Sequence, residues 1–150
     1  MEGINNLLGK PAPKTKRIFI VRHGQSDGGG DQGLSTNGVF QAKRLGKNIK
    51  DIIGDDSVTM WSSAAQRAKE TAAMIDHSLD CDFNQFELLW ADNWHQHDFK
   101  WLEGMIENWE MEDETNNLVI VTHLEYVNDF PRRLVKEGGV PGNHGQTRQF

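Results

Sequence analysis

Three apolar runs, each short enough to be a strand and each followed by a helix-like segment, constrain this chain more than anything else in it. Ile18-Phe19-Ile20-Val21 runs into Arg22-His23-Gly24. Val58-Thr59-Met60-Trp61 leads into Ser62-Ser63. Leu118-Val119-Ile120-Val121-Thr122 runs into His123. Between them, Ser35 or Thr36 can cap a helix in which Ala42, Leu45, Ile49 and Ile52 recur at helical spacing. Ser62 or Ser63 can cap a second, with Ala65, Ala68, Ala72 and Ile75 as its stripe. Phe99, Leu102, Ile106 and Trp109 predict a third helix. Leu124, Val127, Leu134 and Val135 predict a fourth, kinked at Pro131 and ended by Gly138-Gly139. Residues 82–98 read as irregular. Strand alternating with helix predicts an α/β domain, a three-layer α/β/α sandwich with a mostly parallel central sheet. Residues 1–16, aperiodic and holding Pro11 and Pro13, read as a flexible lead-in to a single domain over 17–150.

In such a sheet, ligands bind outside the carboxyl ends of the strands. Three strand ends would there deliver two imidazoles, His23 and His123, and two guanidiniums, Arg22 and Arg67. A phosphomonoester dianion repels nucleophiles, so its hydrolysis needs a nucleophile usable at neutral pH, fixed positive charge, and an acid for the leaving oxygen. Neutral imidazole supplies the first. Planar, permanently charged forks grip phosphate oxygens. Arg67 falls in the first turns of its helix, where backbone N–H groups also favour an anion.

Other classes fit poorly. A net charge of −6 argues against a broad nucleic-acid or anionic-membrane surface. The apolar runs are strand-sized, not membrane-sized. Met1 is not followed by a charged head and an apolar core, so no secretory signal is expected, and Cys81 stands alone. Both features fit a cytoplasmic protein. Gly24-Gln25-Ser26-Asp27-Gly28 matches the nucleophile elbow of serine hydrolases, but Gly28-Gly29-Gly30 is a poor start for the helix an elbow requires. The glycine run lacks the G-K-[ST] of a phosphate-binding P-loop. Glu87 stands six residues after Cys81, where a cysteine phosphatase needs arginine. His95-Gln96-His97-Asp98 reads as exposed loop, since alternate histidines share a face only on a strand.

The ordered motifs resemble the histidine phosphatase superfamily, which includes the cofactor-dependent phosphoglycerate mutases. Arg22-His23-Gly24 after a strand is similar to its signature. Leu34-Ser35-Thr36-Asn37-Gly38 with Gln41-Ala42 is similar to its next block. Ser62-Ser63 through Arg67-Ala68 and Thr71-Ala72, then Val119-Ile120-Val121-Thr122-His123, match the blocks of the second arginine and second histidine. The resemblance covers residues 17–135. It implies phosphorylation of His23, a phosphoryl group surrounded by Arg22, Arg67, His123 and Gly24, and release by water with no metal and no cofactor. It also implies a carboxylic acid between Arg67 and His123, with Asp92 the first candidate and Glu87 the second.

This chain departs from the pattern in places. Leu124 follows His123 where many members have glycine, which would narrow the pocket. Asp27 and the glycine run replace the tryptophan and asparagine of the mutase branch. Relatives commonly continue into a closing strand near where this chain ends, at Gln149-Phe150. These features favour a phosphatase acting on a phosphorylated small molecule or phosphoprotein, phosphohistidine included. A mutase-like phosphotransferase and a non-catalytic phosphate-binding scaffold are the alternatives. Substrate identity and oligomeric state stay open.

Overall fold

The structure, a computed structural model, describes residues 16–90, 98–136 and 147–149, with 132–136 and 147–149 described through their backbone. The elements follow as β1 (Arg17–Arg22), α1 (Thr36–Ile53), β2 (Val58–Ser63), α2 (Gln66–Leu79), β3 (Phe83–Phe86), a 3₁₀ turn (Glu87–Leu89), α3 (Phe99–Glu112), β4 (Asn117–Thr122), α4 (Leu124–Lys136) and β5 (Thr147–Gln149).

Strands with no polar alternation must be covered on both faces. β1 and β4 are such strands, and they lie side by side in the middle of the sheet, whose order is β3-β2-β4-β1-β5. Ile20 stands opposite Ile120, which stands opposite Trp61 on the other side. β1, β2, β3 and β4 are parallel, so their carboxyl ends share one edge. Phe19, Val21, Met60, Val119 and Val121 pack under α1 and α2. Ile18, Ile20, Trp61, Leu118 and Ile120 pack on the other face, under α3 and α4. The domain is therefore a three-layer α/β/α sandwich.

Several details differ from the sequence reading. The stripe of α1 ends on Ile53, which is buried, while Ile52 is exposed. Gly46 sits on that stripe because a Cβ there would lie 2.8 Å from Ser78 Oγ, so α1 and α2 approach closely through it. β3 forms at the sheet edge within the segment read as irregular, pairing Phe83–Phe86 with Met60–Ser63. β5 closes the opposite edge antiparallel to β1. In α4, Val127, Phe130 and Tyr126 are buried while Leu124 is exposed, and the helix continues through Pro131 as one element. Lys16 is anchored: its ammonium donates to the carbonyls of Trp109 (3.0 Å) and Asp113 (2.7 Å), at the end of α3 where the helix dipole favours a cation.

The Tyr126 hydroxyl donates to the Leu88 carbonyl (2.6 Å) and accepts from the Asp98 N–H (2.7 Å). One buried side chain thus ties the 3₁₀ turn to the start of α3. No helix among the described residues is long and apolar enough to cross a membrane.

Candidate active site

The ladder between β1 and β4 runs one bond past the strands, with the His23 N–H donating to the Thr122 carbonyl at 3.0 Å. That bond carries His23 to the carboxyl edge beside His123. Their rings lie 5.2 Å apart, edge to face. Arg67, the second residue of α2, reaches between them.

The partners of His23 fix its tautomer. Nδ1 faces the Gly24 carbonyl at 2.7 Å, and a carbonyl only accepts, so Nδ1 carries the proton. Nε2 then keeps its lone pair and accepts from Arg67 Nε–H at 3.1 Å. Burial disfavours a charged imidazole here. The Gly24 carbonyl opposes that effect, and the Arg67 and Arg22 guanidiniums add to it, leaving the pKa lowered to about 4. The group is thus neutral in the folded protein across the pH range where an ordinary histidine titrates.

Between about pH 6.5 and 4 the unfolded chain binds a proton that the folded one refuses. Its contribution to stability is therefore fully present above the ordinary pKa and declines as pH falls through that window. We expect the His23 ring protons to titrate by NMR with a midpoint near 4. A midpoint near 6.5 would refute the arrangement.

The remaining donors of Arg67 are also placed. Nη2 lies 3.5 Å from His123 Nδ1, and Nη1 donates to the Gly30 carbonyl at 3.3 Å. His123 is buried, and its Nε2 pairs with Ser63 Oγ at 2.9 Å. Ser63 Oγ also accepts from the Ala65 N–H at 3.2 Å. Neither Ser62 nor Ser63 is the N-cap of α2, which is Ala65 with no side-chain cap bond. The Gln66 N–H is met by Asp31 Oδ1 at 2.7 Å, so the helix terminus already holds a carboxylate from the glycine loop. The Leu34 N–H, bonded to Glu70 Oε1 at 3.2 Å, fixes the loop's far end.

The turn after His23 is held by backbone contact. A Cβ on Gly24 would lie 2.6 Å from the Gly38 carbonyl oxygen, so only glycine lets this loop meet the start of α1. Ser35 caps α1, its Oγ accepting from the Gly38 N–H at 3.0 Å. The Gly24 N–H donates to Thr71 Oγ1 (3.0 Å), which donates to the Arg67 carbonyl (2.8 Å).

A cleft of about 340 Å³ opens over His23, lined by Arg22, Gly24, Gln25, Ser26 and Gln41. The geometry thus joins His23, Arg67 and His123 directly, and Arg22 and Gly24 line the cleft that opens over His23. Arg22 is half-buried, and its guanidinium makes no hydrogen bond or ion pair among the described residues. Glu87 is exposed at the start of the 3₁₀ turn, past the end of β3. Its carboxylate makes no hydrogen bond or ion pair among the described residues. Asp92, with His95 and His97, lies outside the described residues.

In the sequence Thr71 and Gln41 stand only as members of motif blocks, without a role as site supports, and Ser63 reads as a candidate cap. Ser26 forms an isolated bridge with Leu34 and no helix starts between Ser26 and Thr36, so the serine-elbow geometry is absent. Burial, then Asp76, Asp82 and Asp80, push the Cys81 thiol up to about 11, a poor nucleophile at neutral pH. Among the described residues no cluster of three or more His, Cys, Asp and Glu is placed to hold a metal ion.

The family model for the histidine phosphatase superfamily (branch 1) matches residues 18–136. A curated fructose-2,6-bisphosphatase from Saccharomyces cerevisiae is 38% identical over 71 residues, 43% of this chain. The chain spans 16% of that relative's length. Among solved structures, the protein histidine phosphatase SixA complexed with tungstate aligns with a TM-score of 0.65 at 18% identity, covering 76% of this chain and 73% of the other. A phosphoglycerate mutase from Plasmodium falciparum aligns at 0.62 and 26% identity, covering 83% and 71%.

Proposed function

Because this chain belongs to the histidine phosphatase superfamily, we propose that it is a phosphatase that hydrolyses a phosphomonoester or phosphohistidine through a phosphorylated His23. The observation that carries this reading is the placement of His23 Nε2, unprotonated and held against the Arg67 Nε–H that a phosphate oxygen would take over. Substrate phosphate would take the Arg67 donors that now rest on His23 and Gly30, with Arg22, His123 and the cleft backbone around it. The Nε2 lone pair then forms the N–P bond as the bond from phosphorus to the leaving group breaks, an ester oxygen in a phosphomonoester or a ring nitrogen in phosphohistidine. The leaving atom takes a proton from a carboxylic acid, for which Asp92 is the first candidate and Glu87 the second. Water next attacks phosphorus, the P–N bond breaks, its electron pair returns to Nε2, and the water's proton passes to the carboxylate. The guanidiniums do not change charge, so they stabilise both transition states. Neither step uses a metal or a cofactor.

The test is release of phosphate from an aryl phosphate in EDTA, with the reaction quenched and the protein probed for acid-labile, base-stable phosphate. A phosphoenzyme that forms and decays as fast as turnover supports the phosphatase. A phosphoenzyme that forms but transfers only to an added hydroxyl acceptor favours the mutase-like alternative. Phosphate binding with neither signal favours the scaffold.

A further inference from the structure

The cleft over His23 is not isolated. It adjoins two others, of about 190 and 230 Å³, and all three share Gln41 as a lining residue. The two outer clefts also share Arg44. Asn37, Gln41, Arg44 and Asn48 recur at helical spacing along α1 and make one polar stripe facing this groove.

Every charged or orientable group in that stripe can donate. The Gln25 N–H bonds to Gln41 Oε1 at 2.9 Å, which fixes the amide's oxygen and leaves its NH₂ as the free donor. Arg44 is exposed, and its guanidinium makes no hydrogen bond or ion pair among the described residues. None of the residues lining the three clefts is acidic, although the chain carries 22 aspartates and glutamates against 16 lysines and arginines. α1 itself bears Lys43, Arg44, Lys47 and Lys50 against Asp51 alone. A net-negative protein has thus kept one groove positive, and that groove begins at the nucleophile.

We propose that Arg44, supported by Gln41 and Asn48, reads a second anionic group, a carboxylate or a phosphate, on the leaving portion of a small substrate. The inference rests on His23 as the point of attack, because only that assignment makes the groove the place of the leaving portion. Arg44 follows Gln41 by three residues, a rise of about 4.5 Å, so the second anion lies about one helical turn along α1 from the cleft over His23. A guanidinium fork suits either oxyanion.

The test is equilibrium binding by calorimetry, so that it does not depend on turnover. The probes are phenylphosphonate, 3-carboxyphenylphosphonate and benzene-1,3-bisphosphonate, titrated into the wild-type protein, Arg44→Ala and Arg44→Lys. Wild type is expected to bind at least one of the two doubly anionic probes about 10-fold more tightly than phenylphosphonate. Which probe gains shows which second anion is read. Arg44→Ala should erase that preference and Arg44→Lys should keep most of it. Equal affinities in wild type, a preference that survives Arg44→Ala, or no binding of any probe would each overturn the proposal. Failure of the phosphatase reading would look different: the doubly anionic probe binds with its Arg44-dependent preference, yet no phosphate is released in a His23-dependent way.

Discussion

Replacing His23 with alanine is expected to lower phosphate release from an aryl phosphate by about 10⁴-fold or more. The variant loses the lone pair held toward the Arg67 fork, and its nearest neighbour cannot take over. The other imidazole, His123, is buried with Nε2 against Ser63 and Nδ1 toward Arg67. The acid-labile phosphate on the protein should vanish together with turnover. Because a cavity beside His123 could loosen the site, His23→Asn serves as a second variant that refills part of the volume without offering a nucleophile. Both variants should show the wild-type circular dichroism spectrum. Turnover within about 10-fold of wild type, or phosphate still trapped on His23→Ala, would mean that another group attacks phosphorus.

Arg67 carries the second large effect. One guanidinium faces His23 Nε2, His123 Nδ1 and the Gly30 carbonyl at once. Removing it does more than weaken the grip on phosphate, because the two rings lose the plane that relates them. We expect kcat/KM on an aryl phosphate to fall about 10³-fold in Arg67→Ala. The His23 pKa should rise in the same variant, since one of the charges that depress it is gone. Arg67→Lys keeps the charge but offers a compact ammonium that cannot span three acceptors. It should therefore recover the low His23 titration but less than about a tenth of the activity. Full activity in Arg67→Lys would show that charge alone is what the site needs.

The sheet and both of its helical layers were legible because burial on two faces leaves an unbroken apolar run, and burial on one leaves a stripe. The limits of that legibility are also physical. Ile52 and Ile53 are adjacent, so the periodic pattern alone could not decide which ended the α1 stripe; packing chose Ile53. Thr147-Arg148-Gln149 has no apolar pattern, and its strand arises from the open edge of β1. The residues that join His23, Arg67 and His123 share no local pattern beyond their positions at strand or helix ends. Thr71 sits inside an alanine-rich stripe and looks like one more small core residue until the Gly24 N–H is seen to point at it. Asp31 lies in a glycine loop and meets the Gln66 N–H 35 residues on, a contact no window of sequence can show. Gly24 and Gly38 were legible as two marks in separate motifs, but only the fold shows that they touch each other.

The sheet order has a consequence for how the chain is made. β4 is hydrogen-bonded between β1 and β2, although both of those strands precede it and Arg17 pairs with Asn117, 100 positions along the chain. During synthesis the ribosome releases β1, α1, β2 and α2 well before the strand that separates β1 from β2 exists. Until β4 inserts, the facing edges of β1 and β2 have unpaired N–H and C=O groups, the loop-closure cost of a distant contact is unmet, and His23 has no His123 beside it. The pairing of the two imidazoles thus waits for β4, and it arrives in the same event that closes the gap between β1 and β2 to other chains.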